Sequence, residues 1–88
     1  MAHWVYIIQS EADGTYYVGS TENVSARLEQ HNLGWTRSTK AMRPWKVVHI
    51  QECQTKTEAM KRERQIKQMK SRVYIQRLIL GAGGRPDP

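Results

Sequence analysis

The sequence has little that would cross-link a small chain or fix it in a membrane. Cys53 is its single cysteine, so no internal disulfide forms and no zinc site is built from cysteine alone. That suits a reducing compartment, and the cytoplasm is the expected one. No run of about 18 apolar residues occurs, which predicts no membrane span. The chain enters His3-Trp4-Val5-Tyr6-Ile7-Ile8 without a basic lead-in, so no signal peptide is expected. Internal repeats and low-complexity tracts are absent too. The 88 residues leave room for one domain, expected over 1–80, with a limited core. Gly81-Ala82-Gly83-Gly84-Arg85-Pro86-Asp87-Pro88 is the expected flexible tail, 81–88.

Carboxylates are scarce where bases are dense. Residues 1–35 hold one base, Arg27, and four acids, a net of −3. Residues 36–88 hold thirteen bases and four acids, a net of +9. This imbalance predicts one positively charged surface. Polyanions are the matching partner, because neutralising phosphates releases counterions and gives affinity without regard to sequence. The plainer reading is that Lys and Arg solvate helix faces. At 39% hydrophobic and 25% charged, the composition is that of an ordinary folded domain.

His3–Gln9 is rich in aromatic and β-branched residues and predicts a strand. Asp13-Gly14 is a turn signal, and Thr15–Gly19 predicts the second strand of a hairpin. Thr21 or Asn23 can cap a helix running to about Asn32, with Gly34 as a left-handed stop. Residues 34–44 are expected to form a loop closed by Pro44. Trp45–Cys53 alternates as a third strand, with Val47 and His49 on one side and Val48 and Ile50 on the other. Thr55-Lys56-Thr57-Glu58 has capping-box spacing and opens a helix to about Met69. Ser71 caps a last helix with an apolar stripe of Tyr74, Ile75, Leu78 and Ile79. The order β-β-α-β-α-α predicts an α+β fold, a small three-stranded antiparallel sheet flanked by helices.

Several polar residues fall on lines that ought to be apolar. Val24, Arg27, Leu28 and His31 share one helix face at i, i+3, i+4 and i+7. Arg27 there either snorkels, with its stem packed, or points its guanidinium at a partner. His31 is either a satisfied half-buried histidine or a working one. Glu63 lies on the line of Ala59 and Ile66 amid Lys61, Arg62, Arg64 and Lys67. It is either an ion-pair partner of Arg62 or Lys67, or a carboxylate aimed at a divalent cation. Only one of Tyr16 and Tyr17 can share the sheet face of Tyr6.

Taken together, Val5-Tyr6 and Tyr17-Val18-Gly19 across a hairpin resemble the paired triplets that name the GIY-YIG nuclease family. Ala26-Arg27-Leu28-Glu29-Gln30-His31-Asn32 is similar to that family's first-helix segment, and Ala59–Lys67 to the segment carrying its glutamate. Gly34-Trp35-Thr36-Arg37 and Arg43-Pro44-Trp45 fit the stand-alone branch of small bacterial proteins known as the UvrC-like or UPF0213 group. The first glycine of the opening triplet is Trp4 here.

The resemblance implies a metal-dependent endonuclease that hydrolyses DNA phosphodiester bonds. It implies Tyr6 and Tyr17 as hydroxyls near the attacking water, Arg27 on the scissile phosphate and His31 assisting proton transfer. Glu63 would hold Mg²⁺ or Mn²⁺. His31 titrates in the useful range unaided, whereas Tyr6 as a base needs help from its surroundings. Trp35, Arg37, Lys40, Arg43, Arg62 and Lys67 are the expected nucleic-acid contacts, with Trp35 available for stacking on bases. Low sequence specificity follows, with single-stranded or flexible DNA preferred and RNA not excluded. The competing reading is a non-catalytic nucleic-acid-binding module on the same fold. A third is an interaction domain pairing through its last helix, so a monomer or a homodimer through that helix is expected.

Overall fold

The computed structural model describes residues 2–84. The elements are β1 (His3–Ser10), β2 (Tyr16–Thr21), α1 (Val24–Leu33), α2 (Arg37–Lys40), β3 (Trp45–Cys53), α3 (Lys56–Met69) and α4 (Arg72–Gly84). The strands form one antiparallel sheet in the order β2-β1-β3. The α+β fold expected from the sequence is the one observed.

The central strand explains its own composition. Val5 and Ile7 face a layer completed by Val18, Ala59 and Ile66, under α3 and α4. Tyr6 and Ile8 face the opposite layer, with Trp45, Tyr17, Val24 and Leu28, under α1. A strand covered on both faces reads as a continuous apolar run rather than an alternating one. Ile7 and Ile8 are fully buried, each contributing on the order of 2 kcal/mol.

Local chemistry sets the helix ends. Asn23 caps α1, its side chain accepting from Ala26 N–H at 3.0 Å, while Gly34 ends it at φ 85°. Thr55 Oγ1 accepts from Glu58 N–H at 3.1 Å to open α3. Glu58 reaches back to Gln54 N–H at 3.0 Å, one residue earlier than a standard box.

Four expectations shift. The second strand starts at Tyr16 and runs on to Thr21, because its pairing with β1 extends to Trp4 opposite Thr21. The expected loop 34–44 contains the short helix α2, which the buried Thr39 and its contacts anchor. The last helix continues to Gly84 rather than stopping near residue 80, and residues 85–88 of the expected tail lie outside the described region. Finally, a register shift opposite Ile7 and Ile8 breaks the alternation of β3. Ile7 pairs with His49 and Ile8 with Val47, so Val48 is extra and packs with the α3/α4 layer. A one-residue bulge turns every later side chain over: Ile50 now lies opposite Tyr6, and His49 opposite Ile7.

The apolar stripe of α4 has an occupant within the chain. Tyr74, Ile75 and Leu78 pack on the core under the sheet, leaving Val73 and Leu80 as the exposed large apolar residues of that helix. No described helix is long and apolar enough to cross a membrane.

Candidate active site

Strand pairing assembles the first part of the site. Tyr6 lies opposite Gly19 and Ile8 opposite Tyr17, so Tyr6 and Tyr17 share one face while Tyr16 takes the other. Gly19 is there because nothing larger fits. A Cβ on it would sit 2.5 Å from the Tyr6 hydroxyl and 2.7 Å from Cζ. The Tyr6 ring therefore lies across the backbone of β2.

From there a buried chain of hydrogen bonds runs into α1 and α2. Tyr6 Oη lies 2.8 Å from His31 Nε2, and His31 Nδ1 lies 2.8 Å from Thr39 Oγ1. The Thr39 hydroxyl donates to Thr36 C=O at 3.3 Å, so its oxygen is left to accept from His31 Nδ1–H. Nε2 must then be the acceptor, and Tyr6 O–H donates to it. Each group has one role and the tautomer is fixed. The ring of Tyr17 meets His31 edge-on at 5.1 Å.

Burial makes His31 a poor titrating group. It is fully buried, and desolvation, with the Arg27 charge nearby, lowers its pKa to about 4. This corrects the expectation that it titrates in the neutral range: it stays neutral and holds Tyr6. Burial also raises the Tyr6 phenol above its ordinary pKa. The neighbouring Arg27 opposes this, and Tyr17 and Glu63 add to it.

Arg27 takes up the snorkelling position without being idle. It is half-buried on α1 and its Nη1 donates to Gln30 Oε1 at 2.7 Å. Its guanidinium lines a cleft of about 550 Å³ together with Glu63, Ser20, Glu22, Asn23 and His3. Glu63 enters that cleft from α3. Its Oε1 accepts from Ser20 Oγ at 2.9 Å, and its Oε2 carries the Lys67 ammonium at 2.7 Å. Glu63 is thus ion-paired to Lys67, as one of its two readings had it, and it also faces the cleft that Arg27 lines.

Among the described residues, no group of three or more His, Cys, Asp or Glu side chains is placed to hold a metal ion. Any divalent ion would rest on Glu63, with water and phosphate oxygens completing its shell, an arrangement that suits Mg²⁺. The Lys67 ammonium on Oε2 shows that the carboxylate already presents a lone pair to a cation.

The expected nucleic-acid residues divide. Trp35 is 70% exposed, beside the exposed Arg37 and Lys40 of α2 and Arg43, whose Nε donates to Lys40 C=O. None of these four lines the clefts that Glu63 lines. Lys67 does, and its ammonium stands 5.7 Å from the Tyr17 ring centroid. The structure does not bring Arg62 to the site. Its guanidinium is engaged by Gln51, Gln65 and Tyr74, each at 3.2 Å, bracing α3 against β3 and α4. Sequence reasoning gave no role to Thr39, Ser20 or Gly19. Only Gly19 left a signal, as the last residue of the second triplet.

Residues 2–76 match the GIY-YIG catalytic domain. The chain belongs to the GIY-YIG family. The match spans all of Tyr6, Tyr17, Arg27, His31 and Glu63, and membership places the protein in a nuclease superfamily. UPF0213 proteins of Staphylococcus aureus strains Mu3 and Mu50 are each 43% identical over 67 residues, covering 75% of this chain and 80% of theirs. The solution NMR structure of a UPF0213 protein from Bacillus halodurans superposes with a TM-score of 0.61 at 33% identity, covering 96% of this chain and 88% of that one. This GIY-YIG protein is thus similar to the stand-alone UPF0213 group, as the resemblance in its sequence implied.

Proposed function

We propose that this GIY-YIG protein is a metal-dependent endonuclease that hydrolyses DNA phosphodiester bonds. The observation that carries the reading is the cleft in which Arg27 and Glu63 stand together, beside a tyrosine oriented by a neutral histidine. A binding module needs a basic surface; it needs no carboxylate held in the same cleft as an arginine.

Each residue has a task. Arg27 binds the scissile phosphate, where a planar guanidinium gives hydrogen bonds that strengthen as charge develops. Tyr6, in its ionised form, takes the proton of the attacking water and becomes the neutral phenol. His31 fixes its hydroxyl through Nε2, and Tyr17 flanks them both. Glu63 holds Mg²⁺ or Mn²⁺, which when bound polarises the phosphate and stabilises the leaving oxygen. Outside this cleft, Trp35 with Arg37, Lys40 and Arg43 forms a cationic stacking platform, a sequence-tolerant device that favours single-stranded or flexible DNA.

The test is cleavage of labelled single-stranded and duplex DNA with Mg²⁺ or Mn²⁺, for wild type and Glu63→Ala. Metal-dependent cutting that disappears in the variant supports the reading. A wild type that binds both substrates and cuts neither returns the protein to the binding-module reading. Equal cutting of single strand and duplex removes the substrate preference alone.

A further inference from the structure

Where α3 gives way to α4 lies a second cleft of about 390 Å³. Tyr16, Tyr17, Lys67, Lys70, Ser71 and Arg72 line it, and no carboxylate is among its lining residues. Its two walls are shared with the candidate active site. Tyr17 packs on His31, and Lys67 is bonded to Glu63. Lys67 and Lys70 also line the cleft on the outer side of Glu63. The three clefts therefore adjoin one another along α3.

Two details of this elbow need a reason. Lys70 has φ 48° at the end of α3. A left-handed residue costs a side chain about 1 kcal/mol, and glycine is the residue at ease there. A lysine holds the position instead, and no hydrogen bond of its side chain is found among the described residues. The guanidinium of the exposed Arg72 stands over the Tyr16 ring, 4.9 Å from its centroid, which holds its charge at the cleft. The N-terminus of α4 opens beside them and adds positive potential.

We infer that the α3–α4 elbow is a phosphate-binding subsite, in which Lys70 and Arg72 hold the backbone of the polynucleotide beyond the scissile bond. The inference rests on the nuclease reading above. It adds a path for the substrate: from Arg27 past Glu63 and Lys67 to Lys70 and Arg72, along α3. The sequence alone pointed to the platform around Trp35 and to bases of α3 such as Arg62 and Lys67, without singling out the elbow or Arg72.

The experiment is fluorescence anisotropy of a labelled single-stranded oligothymidylate over a range of salt concentrations, without divalent metal. Lys70→Gly, which removes the charge and suits the backbone, is expected to melt no lower than wild type while binding about threefold more weakly. Adding Arg72→Gln should weaken binding about tenfold and lower the slope of log affinity against log salt by about 1.4, or about 0.7 per single-strand phosphate released. A control removing Lys46 and Arg77 (Lys46→Gln with Arg77→Gln) should leave that slope near wild type. If the control lowers the slope as much as the elbow variant, net charge and not the elbow is responsible, and the inference fails. If the elbow variant keeps wild-type affinity and slope in a protein that binds and cuts DNA, the subsite is overturned and the nuclease reading stands. A wild type that binds no oligonucleotide overturns both.

Discussion

Tyr6 donates its hydroxyl to His31 Nε2 across 2.8 Å, joining the central strand to the first helix inside the molecule. In this direction the bond exists only while His31 is neutral, because a protonated imidazole has no lone pair to offer.

Stability should therefore depend on pH in a defined window. The folded His31 pKa of about 4 lies below the ordinary 6.5. The unfolded chain binds the proton first as pH falls, so stability is complete above pH 6.5 and is lost as pH drops towards 4. The loss is about 3 kcal/mol for this group alone. His49, also held neutral by burial with Arg62 adding to it, acts with the same sign. Urea midpoints measured from pH 7.5 to 4 should fall steadily. A flat profile to pH 4 contradicts the buried, neutral imidazole.

Gly19→Ala should damage the site and the fold together. Its Cβ would press on the Tyr6 ring at 2.5 Å from the hydroxyl, and relieving such overpacking costs about 1–3 kcal/mol. Denaturation gives the stability loss, and cleavage should fall with it as Tyr6 leaves its place. An unaltered enzyme means that Tyr6 does not need this orientation.

Arg27→Lys keeps the charge and removes the fork. With one point charge in place of a planar pair of donors, kcat should drop roughly a hundredfold or more. Substrate binding should change far less. Full activity in the lysine variant makes Arg27 a screening charge and not a phosphate clamp.

Cleavage should keep rising with pH. The Tyr6 phenol is held above pKa 10, chiefly by burial, so its ionised fraction grows about tenfold per pH unit through neutrality. Wild type should show no plateau at pH 8, and Tyr6→Phe should lose both the rise and most of the rate. If Tyr6→Phe cuts normally while His31→Ala does not, the roles of the two residues are reversed.

Asn32 offers a test of the scaffold. Its side chain donates to Trp45 C=O at 3.1 Å and accepts from Trp45 N–H at 2.6 Å, tying the end of α1 to the start of β3. Asn32→Ala leaves those two backbone groups without partners, a cost of about 2–3 kcal/mol. Thermal or urea melts measure it directly.

Much of this protein was decided by the chain read on its own. Helix α1 stops, and strand β3 and helix α3 begin, where local chemistry puts them, because Gly34, Pro44 and Thr55 act on their nearest neighbours. The two triplets, Arg27, His31 and Glu63 were legible as a set through their resemblance to the GIY-YIG family, while periodicity alone placed Arg27, His31 and Glu63 on helix faces and left their roles open. What the sequence could not hold was anything that depends on packing between elements. The bulge at Val48 moves Ile50 and His49 across the sheet, and no local pattern marks it, since either register is apolar enough. The neutrality of His31 comes from the depth at which α1 packs on β1, and its tautomer comes from Thr39, eight residues away on a helix the sequence concealed in a loop. Arg62 shows the same limit. Its charge predicted an outward role, but only the fold shows Gln51 and Tyr74 waiting for it on neighbouring elements. Composition and spacing fix what each residue can do; the partners that decide which of those things it does are brought to it by the tertiary structure.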